Sequence, residues 1–319
     1  MALIELPNIR IGHASYPDGP TGCTVILCPE GAVAGLDIRG SASSTRQTDS
    51  LFSLHRVSQI HGLCLAGGSA FGLDAAGGVL EYLEEKNIGF DVTVTRVPIV
   101  PSAILFDLAF GNPAVRPDKA LGYQACLNAS AEEVPEGSVG AGTGATIGKL
   151  FSVTQATKGG LGYAGTRTAE GLIVAALVVV NAFGDVVDSD GKILAGARTG
   201  PSDHTFAGTW ECMKQGVQPK QFVVQNTTLG VILTNARLDK PDARKLAQLG
   251  QNALARVIAP VHTLYDGDII FALSVGQFEA GVMQIALLAQ EMLREAVYRA
   301  VRLADGFGRI PSWKDLCSP

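Results

Sequence analysis

Gln221 to Asn235 reads QFVVQNTTLGVILTN: two runs of strand-forming residues, Phe222-Val223-Val224 and Leu229 to Leu233, on either side of a polar knot, Gln225-Asn226-Thr227-Thr228. Polar groups inside an apolar run are costly unless they are hydrogen-bonded or put to use. A threonine in such a place is a candidate nucleophile if something activates its hydroxyl. The simplest activator is its own α-amine, freed when the chain is cut in front of it. The rest of the sequence can be read as scaffold and partners for Thr227.

Downstream, Asp239-Lys240-Pro241 has the cap and first-turn proline of a helix start. Ala243, Leu246, Ala247, Ala253, Leu254 and Val257 form its apolar stripe, and Pro260 stops it. His262 to Ser274 (HTLYDGDIIFALS) reads as a strand. Asp266 and Asp268 lie two apart, which on a strand puts both carboxylates on one face. Like charges so placed repel and raise one pKa unless a cation or donors stand opposite. On local grounds alone the pair reads instead as a turn at Asp266-Gly267 with solvated carboxylates. Gly281 to Leu303 is the clearest helix, with Ile285, Ala289, Met292, Ala296 and Ala300 on one face and Gly306 past its end.

Upstream, Thr199 to Gln221 is polar and irregular, in character an exposed connector of the kind that tolerates cutting nearby. Leu172 to Val180 (LIVAALVVV) is the most apolar run, a strand buried on both faces. It ends at Asn181, either a turn former or an amide donor aimed into a site. Gly137 to Lys149 (GSVGAGTGATIGK) misses the phosphate-loop spacing, because five residues separate Gly142 from Gly148 and Leu150 follows the lysine. What is left is a glycine-rich approach to Lys149, which on spacing alone reads as a solvated surface lysine. Pro117 to Ala129 is a short helix with Asp118 near its start, and Val97 to Leu108 a loop that becomes buried. Gly67-Gly68-Ser69 opens a helix to about Leu83 with Ser69 as N-cap and Leu73, Ala76, Leu80 and Leu83 on one face. That junction is a tight turn or an anion site. Cys23 to Cys28 and Val33 to Ile38 read as strands separated by a turn at Pro29-Glu30-Gly31, His61 to Ala66 as another short apolar run, and Gly40 to Asp49 as a polar loop.

The 319 residues are 47% apolar and 17% charged, enough for a sizeable core. A net charge of −5 gives no basic footprint for nucleic acid. No apolar run reaches the roughly 18 residues that span a bilayer. The first twenty residues lack the basic and apolar regions of a signal peptide, so a cytoplasmic protein is expected. Six cysteines and five histidines show no zinc spacing, and Cys23, Cys28 and Cys64 read as buried small hydrophobes. Interleaved strands and helices without repeats or charged linkers predict one layered α/β domain with its sheets covered by helices.

Seven stretches in order carry a resemblance: GPTGCTVI (19–26), LAGGSAFGLDAAGGV (65–79), AVRPDKALG (114–122), GAGTGATIGK (140–149), VVVNAFGDVVD (178–188), NTTLGVILTNARL (226–238) and HTLYDGDIIFAL (262–273). The chain resembles the DmpA-type aminopeptidases, and more closely their nylon-oligomer hydrolase branch. These are N-terminal-nucleophile hydrolases with an αββα sandwich. The family cuts itself before its nucleophile, most members at Gly-Ser and this branch at Asn-Thr, here Asn226-Thr227. The resemblance implies fragments 1–226 (α) and 227–319 (β), Lys149, Asn181, Asp266 and Asp268 as site partners, and no cofactor or metal. It also implies a homotetramer of αβ units. A tyrosine of the family's site wall is replaced here by Phe106, which removes a hydroxyl near the substrate.

The expected activity is therefore amide hydrolysis by Thr227. Asp266 or Asp268 takes the proton during self-cutting, and both then orient the new amine and balance Lys149. Asn181 donates to the oxyanion. The expected substrates are aminohexanoate oligomers. Alternatives are an aminopeptidase, amidase or esterase acting on short peptides, an acetyl-transferring enzyme of related fold, and a binding protein of the same fold that never cuts itself.

Overall fold

The computed structural model describes residues 5–219 and 226–317. In chain order its principal elements are β1 (Arg10–Tyr16), β2 (Thr21–Ile38), β3 (Ile60–Ala66), α1 (Ala75–Glu85), β4 (Ser102–Ile104), α2 (Lys119–Leu127), β5 (Gly160–Arg167) and β6 (Ile173–Asn181). Then come α3 (Thr209–Lys214), β7 (Thr227–Ala236), α4 (Lys240–Val257), β8 (Ile269–Phe278) and α5 (Val282–Arg302).

A strand apolar on both faces needs cover on each, and β6 has it from Ile173 to Val180. Ile173, Ala175, Leu177 and Val179 enter one core, while Val174, Ala176, Val178 and Val180 enter another. The same period of two divides β7 and β8: Leu229, Val231, Ile269 and Phe271 join the first core, and Ile232, Ile270 and Ala272 the second. Leu246 and Leu254 of α4 and Leu293 and Val297 of α5 close the second core. The first core is shared with Ile26, Leu63, Leu65 and Ala103 from β2, β3 and β4. The far side of those strands, through Cys23, Val25 and Cys64, packs under Val79, Leu83, Leu121 and Ala125 of α1 and α2. Four layers result, helices–sheet–sheet–helices, which is the αββα sandwich that the resemblance implies.

Hydrogen bonding runs in the order β5-β6-β7-β8-β2-β3-β4, with β1 beside β2. The β7–β8 and β3–β4 pairs are parallel, and the others antiparallel. One half of β2 pairs with β1 and β3, and Val33 to Ile38 pair with β8. Because both leaves share this strand, they form a single domain.

The expected turn at Pro29-Glu30-Gly31 is thus a bulge inside one 18-residue strand. Gly31 takes a φ of 90° there, which glycine adopts without strain, so the backbone bends without reversing. Ser69 does not cap its helix through its side chain: Gly68 is the N-cap of a 3₁₀ turn, Ser69–Asp74, that leads into α1. Asp118 and Asp239 do cap, accepting from Leu121 N at 2.9 Å and Asp242 N at 2.8 Å. The buried stretch before Leu108 contains the short strand β4. The connector from Thr199 holds α3, and just before it Arg198 is buried with its guanidinium on the carbonyls of Thr154, Pro201 and Asp203. The strand expected from His262 begins only at Ile269. Phe222-Val223-Val224 and Gln225 lie outside the described residues. Cys23, Cys28 and Cys64 are buried thiols as expected. Among the described residues no helix is long and apolar enough to cross a membrane.

Leu177 is fully buried between the two sheets. Leu177→Ala is expected to lower the unfolding free energy by about 2–5 kcal/mol, read from urea denaturation.

Candidate active site

Thr227 opens β7 and lies opposite Asn181, the last residue of β6, in the antiparallel register. Both side chains are buried. The Thr227 hydroxyl donates to the carbonyl oxygen of Asn226 at 2.6 Å. That same oxygen accepts the backbone N–H of Gly267 at 2.7 Å. The peptide between Asn226 and Thr227 is therefore polarised by a backbone donor and touched by the hydroxyl that follows it.

Lys149 is not a surface lysine. Its side chain is buried, and its ammonium donates to Thr146 O (2.6 Å), Thr146 Oγ1 (3.1 Å), Asn181 O (3.1 Å) and Asn181 Oδ1 (2.9 Å). Burial lowers its pKa to about 7, against the attraction of Asp266, Asp107 and Asp268. Asn181 Oδ1 also accepts Thr146 N at 3.0 Å, which leaves its Nδ2 facing Phe106 O at 3.1 Å. One Asn181 amide N–H is thus engaged by the Phe106 main chain, and the backbone donor on the Asn226 carbonyl is Gly267 N–H.

Asp266 and Asp268 lie before β8, in the turn that starts at His262, and neither is solvated: both are buried. Asp266 Oδ1 accepts Phe183 N at 3.1 Å, and its Oδ2 accepts Thr263 N at 3.2 Å. Asp268 Oδ1 accepts Thr228 N at 2.7 Å, while its Oδ2 accepts His262 N at 3.1 Å and meets His262 Nδ1 at 2.9 Å. Burial, with the charge of Asp268 second, raises Asp266 to about 7. The pair precedes β8 rather than alternating along it, and the turn read on local grounds is buried rather than solvated.

All five residues picked from the sequence converge here with Asn226, and the Phe106 main chain adjoins them. Three neighbouring groups were not picked from the sequence: His262, beside Asp268, and the buried Asp107 and Lys158, whose charges act on Lys149. Asp107 accepts from Thr21 Oγ1 and Gly68 N, both at 2.7 Å, and burial raises it to about 6. Lys158 donates to the carbonyls of Gly142, Ala145 and Gly159, and burial lowers it to about 7. A lone aspartate ending the apolar run of 97–108 was the available signal for Asp107. Among the described residues no group of three His, Cys, Asp or Glu is placed to hold a metal.

The four layers, with a buried threonine at the start of a central strand, define an N-terminal-nucleophile hydrolase fold. The L-aminopeptidase D-Ala-esterase/amidase of Ochrobactrum anthropi, described as a variant of that fold, aligns with a TM-score of 0.72 at 17% identity, covering 99% of this chain and 91% of its own. A Burkholderia β-aminopeptidase aligns at 0.69 and 19%, covering 98% and 90%. Residues 2–308 match peptidase family S58, and the chain belongs to that family. It is an amide-bond hydrolase. An uncharacterized aminopeptidase of Mycobacterium tuberculosis is 36% identical over 99% of this chain and 97% of its own. The 6-aminohexanoate-oligomer endohydrolase of Paenarthrobacter ureafaciens is 33% identical over 94% of this chain and 86% of its own.

Asp266 moves from an ordinary 3.8 to about 7 on folding. Between those values the folded chain holds a proton that the unfolded chain has released, so this group's contribution to stability is fullest below 3.8 and falls as pH rises to about 7. In chain kept uncut by Thr227→Ala, Asp266→Asn is expected to flatten the fall of unfolding free energy across that window, by up to about 1.4 kcal/mol per pH unit at its steepest. Urea titrations at stepped pH check it.

Proposed function

We propose that the protein is a self-cutting amide hydrolase whose nucleophile is Thr227. The observation that carries this reading is the buried Thr227 hydroxyl, 2.6 Å from the carbonyl oxygen of the residue before it. Thr227 Oγ attacks the Asn226 carbonyl carbon through a five-membered ring, and its proton passes to Asp266 or Asp268. Gly267 N–H, already on that oxygen, stabilises the developing oxyanion. The Asn226–Thr227 C–N bond breaks, the nitrogen takes a proton, and the chain is joined by an ester at Oγ. Water hydrolyses the ester, leaving a carboxylate on Asn226 and a free amine on Thr227. The products are residues 1–226 and 227–319.

An α-amine has an ordinary pKa of about 7.7–8.0, suited to general-base work near neutral pH. In the cut enzyme it takes the proton of its own hydroxyl as Oγ attacks a substrate amide, and passes it to the leaving nitrogen. The acyl group on Thr227 is then released by water. Asp268 stands over the Thr228 N–H, and with Asp266 orients the amine and balances Lys149. Asn181 keeps one amide N–H on Phe106 O and donates the other to the oxyanion.

The Asn226-Thr227 pair and the 6-aminohexanoate-oligomer endohydrolase relatives support aminohexanoate oligomers as substrates. A second reading, short peptides, is favoured by the aminopeptidase relatives, which are the more similar at 36% identity. Assaying both substrate types with one preparation separates the two. We carry forward a homotetramer of cut units, which light scattering on the eluting protein checks.

Thr227→Ala is expected to run as one uncut chain of 33.2 kDa without amidase activity, while the parent gives two fragments by intact mass. Two fragments from Thr227→Ala, or an active parent with an intact Asn226–Thr227 bond, would overturn the reading.

A further inference from the structure

The Phe106–Asp107 step joins the candidate site to a second buried network. Phe106 supplies the carbonyl that accepts Asn181 Nδ2 at 3.1 Å. The next residue, Asp107, is 4% exposed and anchored at both oxygens, with Oδ1 on Gly68 N and Oδ2 on Thr21 Oγ1, each at 2.7 Å. Main-chain bonds tie the same segment to the Gly67 turn: Leu105 N donates to Ala66 O at 2.9 Å, and Ser69 N to Leu105 O at 3.0 Å. The carboxylate has little room to move. A Cβ on Gly67 would strike Asp107 Oδ2 and Thr21 Oγ1, and one on Gly144 would strike Asp107 Oδ2 and Cβ. Glycine at both positions lets the β3–α1 turn and the glycine-rich loop close on one carboxylate.

The orientation of the Asn181 amide matters to Lys149. Asn181 Oδ1 accepts from Lys149 Nζ at 2.9 Å. An amide turned over would set its own N–H₂ against the ammonium, two donors facing one another. Thr146 N, donating to Oδ1 on one side, and the Phe106 carbonyl, accepting from Nδ2 on the other, together select the orientation that holds the cation. On the far side of Thr146, the Lys158 ammonium fixes the Ala145 carbonyl at 2.9 Å.

We propose that Asp107 is a positioning residue for the hydrolase reaction: by tying the Phe106 main chain to Thr21 and Gly68, it sets the amide of Asn181 and, through it, the ammonium of Lys149. The carboxylate of Asp107 spends its hydrogen bonds on Thr21 and Gly68 rather than on Thr227. The inference rests on the roles given above to Asn181 and Lys149.

The test compares Asp107→Ala, Asp107→Asn, Thr21→Val and Thr227→Ala by circular dichroism, by the fraction cut from intact mass, and by kcat and KM per cut chain on a 6-aminohexanoate oligomer or, if that is not turned over, a short peptide amide. Asp107→Ala is expected to fold and bind with the parental KM but to lose about 100-fold in kcat, the size of effect that a misplacement of about 1 Å produces. Asp107→Asn is expected to restore most of kcat, because its oxygen still accepts Gly68 N–H and the Thr21 hydroxyl can turn round to accept from its amide. Thr21→Val removes one anchor without changing shape and should lower kcat, not KM. Parental kcat in folded, cut Asp107→Ala overturns the inference, and so does an Asp107→Asn as poor as the alanine. Where Asp107→Ala gives no folded, cut chain, Thr21→Val decides, with parental kcat overturning the inference. An active Thr227→Ala defeats the nucleophile reading instead, so the two failures are distinguishable.

Discussion

An ammonium taken out of water has to be given acceptors, and the site is built around satisfying one. Lys149 is held by four contacts from only two residues, Thr146 and Asn181. The glycine-rich loop is thereby tied to the end of β6. Asn181 is the antiparallel partner of Thr227, so satisfying the lysine also sets the distance between cation and threonine. Removing one partner of a buried charge is far more damaging than never burying it. Asp266, Asp107 and Asp268 all act on Lys149 to favour its charge, against the burial that lowers it.

The sandwich makes this arrangement possible. β6, β7 and β8 are covered on both faces, one by the other leaf and one by α4 and α5. The stretches of these strands that enter the two cores are apolar, and the polar residues of the site stand at their ends, where loops supply donors and acceptors. Asn181 and Thr227 sit at adjoining ends of β6 and β7, and Asp266 and Asp268 stand just before the parallel strand β8. Parallel pairing of β7 and β8 brings the beginnings of both strands to one edge, and with them the threonine and the two carboxylates.

Several of these placements were legible beforehand because they depend on local chemistry. The unbroken apolar run of β6 demanded double-sided burial, the Asp239 and Asp118 caps announced their helices, and the polar knot before Leu229 marked Thr227. Other expectations failed where long-range contacts override local ones. Pro29-Glu30-Gly31 has turn composition, yet pairing with β3 on one side of it and β8 on the other keeps β2 continuous. Lys149 reads as solvated by spacing, because nothing near it in sequence announces Asn181, 32 residues away, as its acceptor. Asp107 and Lys158 were overlooked for the same reason: the partners of Asp107 are 86 and 39 residues distant.

By itself the sequence determined the layered α/β class, the apolar strand β6 and the helices α4 and α5, and its ordered motifs suggested five residues that the structure places near one another. The class and those elements follow from periodicity, capping and composition, which act over a few residues, whereas the grouping of the five residues came only from the resemblance. Only the tertiary structure decided that the cation and the two carboxylates are buried, and that a backbone N–H from Gly267 meets the Asn226 carbonyl. Those facts depend on desolvation and on hydrogen bonds between residues far apart in the chain, and neither exists until the two sheets have closed on each other.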